Sequence, residues 1–483
     1  VMWMVPLCSL VLAAPGDEPI EVHWQRRVSD EGLDRLRGGT DRSLLDRAIS
    51  LEEQELPLFT TVLAPELRAL EGSDAWWRPA FGVRATTRIA EGDLQPVGAL
   101  GDSEPGLISL RTGVRLHGAS DWIEVKAWPE LRLDTLGEAG AFAAELEPMA
   151  YGVWLRRPHV RFGVGAEERR LGPGRRGGIA LWDDAPSWPA VTLAGEGPIW
   201  KLGAFRGEVG VGVLLEERRD VQRPGLLHMD LRWSPHPWVE IGASRVSLFW
   251  GEGRPVPDLG QLLLPTDPHV YGDEARLEPD QDELADLDGR ITVPLDWGPV
   301  RSVEAWLLYG AEDIVGAEFE GVPYPSLAGV SNQRGAMVII DRLHATVEWS
   351  RFMDDYFRWY TGHRVYHEGF TNGGHVLGHP NGGDANTWWF ASGWLGETWG
   401  TEAWAQNLWR VDVVDVVQDT LFTAMTDERS WTFGARGWVF GETGRQLEVG
   451  AEVARVDGVD FVPGVQEWNQ RVWVSLQTAG WSF

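Results

Sequence analysis

The sequence predicts an all-β fold: a transmembrane antiparallel β-barrel preceded by a small N-terminal helical bundle. Three observations predict it. The first is strict polar–apolar alternation along more than a dozen stretches from Phe81 onward, clearest at 342–350. There Leu343, Ala345, Val347 and Trp349 alternate with Arg342, His344, Thr346, Glu348 and Ser350. Side chains of a strand change face at every residue, so this stretch divides an apolar environment from a wet one. The second is that the polar faces carry Arg and Glu together on many strands, which suits a wet lumen better than a flat soluble sheet. The third is tryptophan: 28 residues against 7 tyrosines, a composition that favours a membrane interface or the face of a sugar ring.

Taken in order, Val1 to Ala14 is apolar and ends in small residues, as a secretory signal does. Residues 15–77 read as a helical periplasmic or plug segment. Ser29 or Asp30 caps a first short helix. Leu44, Leu45, Ala48, Ile49 and Leu51 form the apolar stripe of a second, and Pro65 opens a third that closes at Gly72. The barrel is expected over 78–483. Its strands include Phe81, Val83, Ala85, Thr87 and Ile89 against Arg84, Thr86 and Arg88; Met229, Leu231 and Trp233 against His228, Asp230 and Arg232; and Leu447, Val449, Ala451 and Val453 against Glu448, Gly450 and Glu452. Counting hairpin partners gives roughly 16 to 18 strands, within the range of such barrels. Three stretches rich in Gly, Pro and Asp are expected to be long loops: Gly251 to Asp288, Gly316 to Gly335, and Gly362 to Asn386. No later run approaches the ~18 apolar residues of a spanning helix.

Charge narrows the partners. With 43 Lys and Arg against 72 Asp and Glu, the net charge of -29 opposes nucleic-acid binding and leaves any acidic polysaccharide dependent on local Arg clusters. Nearly all the positive charge is Arg, with Lys126 and Lys201 the only lysines. The single cysteine, Cys8, lies in the leader, so the mature fold has no disulfide to rely on.

The densest constellation is the segment Tyr360 to Asp384. His363 and His367, and then His375 and His379, are spaced four apart, with Glu368 and Asp384 nearby. On a helix this spacing would offer imidazole pairs to zinc. The many glycines argue against a helix, and no His-Glu-x-x-His occurs. The better reading is a Gly-rich loop whose His and Tyr bond to backbone and water, with no metal and no cofactor. The acidic run Asp280 to Asp286 reads as a solvated loop, since its spacing matches no calcium loop. Arg169, Arg170, Arg175 and Arg176 flank Gly172 and Gly174 as the one local basic cluster, either an anion contact or a solvated turn. Carboxylate pairs are too abundant to single out a glycosidase pair, and neither a Gly-x-Ser-x-Gly elbow nor a phosphate-cradling loop is present.

Taken together, these stretches resemble the capsule assembly Wzi family of outer-membrane proteins. The resemblance is carried by Arg169 to Gly174 running into Ala185 to Pro189; by Val239 to Arg245 followed by Gly251 to Pro255; by Leu287 to Arg290 through Tyr309 to Asp313; and by the His/Tyr loop with Gly378 to Asp384. Leu171 stands where the family usually has Trp. The resemblance implies an 18-stranded outer-membrane barrel with a small helical bundle. It also implies a lectin-like, non-enzymatic role in anchoring or assembling capsular or extracellular polysaccharide. Phe483, with Trp481 two before it, suits a barrel-insertion signal, although Ser475 and Gln477 break its apolar face. Candidate glycan-binding residues are Arg175, Arg176, His363, Tyr366, His367, His379, Asp384, Trp388 and Trp389, with a girdle role as the alternative for the tryptophans. A sugar or anion porin and a secreted polysaccharide hydrolase are the competing readings. The expected partners are polysaccharide and outer-membrane lipid.

Overall fold

The computed structural model describes residues 77–478 apart from 91–107, 120–121, 137–140, 158, 168, 183–184, 200–201, 237, 258–261, 263–280, 320–321, 353–358, 361–364, 374, 396–398, 413–425 and 441–444. The expected leader, helical segment and final aromatic residues lie outside the described residues.

The strands are β1 (Trp77–Ala90), β2 (Ile108–Ala119), β3 (Ile123–Leu136), β4 (Ala141–Arg157), β5 (Val160–Ala166), β6 (Pro189–Pro198), β7 (Ala204–Val213), β8 (Gly225–His236), β9 (Val239–Phe249) and β10 (Gln281–Trp297). They continue as β11 (Val300–Phe319), β12 (Val322–Ile340), β13 (Leu343–Arg351), the short hairpin β14 (Thr371–Asn372) and β15 (His375–Val376), then β16 (Ala385–Leu395), β17 (Trp399–Asp412), β18 (Thr426–Phe440), β19 (Arg445–Asp457) and β20 (Gln466–Thr478). All but β14 and β15 form one 18-stranded sheet of antiparallel neighbours. It closes where β1 pairs with β20, from Phe81 opposite Thr478 to Ala90 opposite Asn469. Closure leaves the sheet without an edge strand.

Where their side chains are described, most strands sort them as the alternation predicts, apart from unbroken buried runs at Gly225–His228 of β8 and Ser244–Phe249 of β9. Leu231, Ile241, Leu287, Leu307, Val449 and Val472 stand outward and exposed, Leu307 at 52%. Glu124, Asp230, Arg232, Glu240, Glu304, Glu348, Glu402, Arg436 and Arg471 stand inward and buried. An apolar surface of this extent is unstable in water and matches the band that a bilayer covers. The inward charges compensate one another across strands, where Arg232 meets Asp288 at 2.5 Å and Arg436 meets Glu402 at 2.6 Å, and along β3, where Lys126 meets Glu124 at 2.8 Å.

Several tryptophans stand inside the barrel rather than in a membrane girdle. Trp306, Trp404, Trp438 and Trp473 face the lumen, and each lies flat over a glycine of the neighbouring strand. A Cβ added at Gly450 would stand 2.0 Å from the Trp473 ring, and one at Gly335 would stand 2.3 Å from Trp306. The indole N–H groups of Trp306, Trp404 and Trp473 donate to Glu348 (2.9 Å), Glu452 (3.2 Å) and Glu448 (2.7 Å). Glycine here makes room for a ring that brings its own polar handle to a charged wall.

Two expected loops are corrected. Gln281–Trp297 is strand β10, with Asp282, Asp286 and Asp288 buried in the lumen, so the acidic run is no solvated loop. Ala285, Leu287 and Ile291 take the outward positions, and this alternation outweighs the local acidity. Most of Gly316 to Gly335 likewise belongs to β11, which runs to Phe319, and to β12, which begins at Val322. Ser475 points into the lumen while Val472, Val474 and Leu476 point out, so serine does not interrupt the apolar face.

The connections divide by length. At the end where β1 begins and β20 finishes they span two to five residues. Two of them turn on the left-handed Gly298 (φ 59) and Asp341 (φ 49), as two-residue hairpins require. The strand ends joined through the long connections, 91–107, 167–188, 214–224, 250–280, 352–384 and 413–425, all lie at the other end.

Candidate functional site

The site is built where three of these long connections meet inside the barrel. β5 has only seven residues and β6 starts opposite its end, Ala166 against Pro189, so the intervening 167–188 segment leaves the wall early and turns inward. It crosses the lumen. The backbone N–H groups of Arg175 and Arg176 donate to the two oxygens of Glu348 on β13, at 2.7 and 2.9 Å. In an 18-stranded ring β13 lies eight strands from β5, almost opposite. The Arg175 guanidinium donates to Glu304 of β11 at 2.5 Å and lies 5.6 Å from the Trp306 ring. Arg176 Nε donates to Gln406 of β17 at 3.3 Å, and Gln333 of β12 donates to the Gly177 carbonyl at 2.9 Å.

The second segment, 352–384, packs onto the first. Trp182 N–H donates to the Leu377 carbonyl, and the Tyr360 hydroxyl donates to the Ile179 carbonyl at 2.7 Å. Tyr360 also accepts the His379 N–H at 3.0 Å. Asn381 donates to Thr387 of β16 and accepts from Gln406. The third segment, 214–224, is tied in by Arg218, fully buried between Glu216 and Asp220, which also donates to the Gly369 and Thr371 carbonyls. Asp220 in turn accepts the Glu368 N–H at 2.8 Å. Leu171, Ile179, Leu181, Phe352, Tyr360, Phe370 and Leu377 bury a common apolar core against Leu226, Leu284 and Leu308 of the wall. The result is a packed plug inside a polar barrel.

Electrostatics follow from this packing. Burial, reinforced by Arg176, pushes the His379 imidazole down to about 3, so it stays neutral. Its Nε2 lies 3.3 Å from Ser350 Oγ, and Nδ1 accepts the Asn381 N–H at 3.3 Å. Burial pushes the Tyr360 hydroxyl well above its usual range. At Asp220, burial works against ionisation, yet hydrogen bonds from Arg218 and from the Glu368 and Val221 amides hold the carboxyl below its ordinary value.

The candidate residues fall in different places. Arg175, 5% exposed, and the half-buried Arg176 bolt the plug to the far wall. Tyr366 is buried and donates to the Trp250 carbonyl at 2.9 Å. His379 is buried at the plug–wall contact, whereas His367 is exposed at the loop end. Asp384 is half-buried with a left-handed backbone (φ 53), and its carbonyl accepts the Val411 N–H. Trp388 faces outward at 45% exposure, stacked on Phe390, while Trp389 faces the lumen. His363 lies outside the described residues. Among the described residues, no group of three His, Cys, Asp or Glu is arranged to hold a metal ion. Tyr360 bonds to backbone as the Gly-rich loop reading expects, whereas Glu348, Gln406 and Arg218 are not among the candidates from sequence. Their importance comes from partners more than a hundred residues away, which no local spacing announces.

Comparison with known proteins agrees with this architecture. Among solved structures, Wzi of Escherichia coli, an outer membrane protein involved in group 1 capsule assembly and a carbohydrate-binding β-barrel, superposes with a TM-score of 0.62. That match has 14% identity and covers 95% of this chain and 98% of that one. The outer membrane protein OprD of Pseudomonas aeruginosa matches with a TM-score of 0.50 and 10% identity, covering 84% of this chain and 95% of that one. At such identities the likeness concerns the fold. No curated protein matches the sequence. The family model for capsule assembly protein Wzi matches residues 153–470, well over half of the sequence, and the chain belongs to that family.

Proposed function

We propose that this chain is a non-enzymatic outer-membrane protein that anchors or assembles capsular or extracellular polysaccharide at the cell surface in a lectin-like manner. The observation that carries the reading is the bolted plug. A segment that leaves one wall and bonds to Glu304, Glu348 and Gln406 across the lumen suits a barrel that presents a surface rather than one that conducts solute. Membership of the capsule assembly family supports the polysaccharide. The apolar outer face supports the membrane. In this reading residues 1–14 serve export and 15–77 form a periplasmic helical element. The long connections face outward from the cell, and the exposed His367 contacts sugar. Arg175, Arg176, Tyr366 and His379 hold the surface that presents it.

The test is surface-retained polysaccharide in a deletion strain of the parent bacterium. Release of polysaccharide into the medium, reversed by the intact gene, is expected; unchanged retention overturns the role. A sugar or anion porin is the second reading, favoured by the charged inner wall at Asp230, Arg232, Glu240 and Arg290. It requires steady conductance across a planar bilayer, whereas the plugged anchor stays closed.

A further inference from the structure

On the inner wall, beside the plug, four polar side chains are more than nine-tenths buried and carry hydrogen-bonding groups that meet no partner among the described residues: Ser430 and Thr432 of β18, and Asn469 and Arg471 of β20. The unmatched groups are both hydroxyls, both ends of the Asn469 amide, and Nε and Nη1 of Arg471. They share one face of three adjacent strands. Thr432 is opposite Ala454 of β19, and Ala454 is opposite Asn469; Ser430 is opposite Val456 in the next same-face row. Arg471, opposite Glu452, takes a third row; neighbouring strands are about 4.8 Å apart and same-face residues about 6.8 Å apart, so the four groups frame a patch of about 10 Å by 14 Å.

The floor of that patch is Ala454, small and apolar, with the polar groups around it and the buried Val456 beside it. Val459, in the turn that joins β19 to β20, packs against Val456 and places the patch just inside the long-loop end. Below it, Arg471 lies 5.0 Å from the Trp473 ring and its Nη2 stands 4.0 Å from Glu452, while Nε and Nη1 have no partner among the described residues. Beside it, Gln406 is opposite Thr432 and accepts from Arg176 of the plug.

Buried polar groups in folded proteins are almost always paired, so a cluster of unpaired ones converging on one spot requires an explanation. Hydroxyls, a primary amide and a guanidinium around an apolar floor match one ligand chemistry. A pyranose ring presents an apolar face that suits Ala454 and ring-edge hydroxyls that both donate and accept. We infer that Ser430, Thr432, Asn469 and Arg471 form a binding subsite for a single sugar unit of the polysaccharide, at the seam between the plug and the β18–β20 wall. The inference rests on the polysaccharide-anchoring reading and gives it a location.

The test uses the full chain in detergent, with polysaccharide purified from the parent bacterium's own culture as the probe. The variants are Thr432→Val alone and Thr432→Val combined with Asn469→Leu. Both exchange unpaired polar groups for apolar ones of like shape, which leaves stability unchanged or raises it when those groups have no partner within the protein. Expected are an unchanged or higher thermal midpoint, with binding about threefold weaker for the single variant and at least tenfold weaker for the double, while Ser475→Ala on the same strand binds normally. Undiminished binding by the double variant overturns the subsite and leaves the anchoring role standing. A lowered midpoint or failure to fold also overturns it, because the groups would then be serving the protein itself. Absence of binding by the unaltered chain overturns the anchoring reading first, and the subsite with it.

Discussion

Replacing Glu348 with alanine tests the plug most sharply. Glu348 is 2% exposed and accepts three N–H groups: Arg175 at 2.7 Å, Arg176 at 2.9 Å and Trp306 Nε1 at 2.9 Å. Its removal strands three buried donors, each worth about 1–3 kcal/mol when left unpaired. The ceiling is therefore about 9 kcal/mol, and water entering the vacated volume reduces the net loss to about 3–4 kcal/mol. Core apolar contacts of Leu171, Ile179 and Leu181 are untouched, so the barrel itself should persist. At about 1.4 kcal/mol per decade, the docked-to-undocked ratio of the 169–182 segment shifts by about 10²–10³-fold. Amide hydrogen exchange reads that ratio directly, because the Arg175 and Arg176 amides exchange only when the segment opens. Their protection should fall by two to three decades in Glu348→Ala and by less in Glu348→Gln, which keeps one acceptor. Protection within about threefold of the parent would refute the plug as a bolted element.

Gly450→Val forces the Trp473 ring off the wall and breaks its bond to Glu448. A loss of about 2–4 kcal/mol is expected, seen as a lower unfolding midpoint by heat-modified gel mobility. Gly289→Ala, whose added carbon meets only the Glu240 carbonyl at 3.7 Å, should change little. Because His379 is held near 3 when folded, well below its value when unfolded, the unfolded chain takes up the proton first. Stability of the plug is full above the ordinary imidazole range and falls as pH drops toward about 3, by up to about 1.4 kcal/mol per unit. His379→Gln should flatten that slope in an exchange experiment run from pH 7 to 4. Leu307→Arg places a charge on the outer face of β11, at a depth-dependent cost of about 2–4 kcal/mol, and should block insertion into vesicles. The inward Thr346→Arg leaves the outer face intact and should insert.

The barrel was legible in the sequence because period-two alternation is local: the faces at 343–350, 229–233 and 447–453 read directly into the wall. The same signal was present in β10, where Ala285, Leu287 and Ile291 alternate with Asp286, Asp288 and Arg290, but acid density concealed it. The lumenal tryptophans carry a local signal as well. Trp306 shares parity with Glu304, Trp404 with Glu402 and Gln406, Trp438 with Arg436, and Trp473 with Arg471 and Ser475, so each belongs to the polar face. What no local pattern supplies is closure. That Glu348 receives the amides of Arg175 and Arg176, 173 and 172 positions earlier, follows only once the ring brings β13 opposite β5. The patch at Ser430, Thr432, Asn469 and Arg471 is hidden for the same reason, since register across three strands assembles it.

The account depends on which side of the wall meets hydrocarbon, and spin labels placed along it measure this directly. Cysteines at Leu231, Leu307 and Val449 should, in lipid vesicles, carry labels whose spin relaxation is sped by dissolved oxygen and which are shielded from a water-soluble nickel complex. Labels at Glu402 and Ser430 should avoid the oxygen-rich hydrocarbon. The reverse pattern, or equal nickel access at Leu231, Leu307 and Val449, would contradict a barrel set in a membrane.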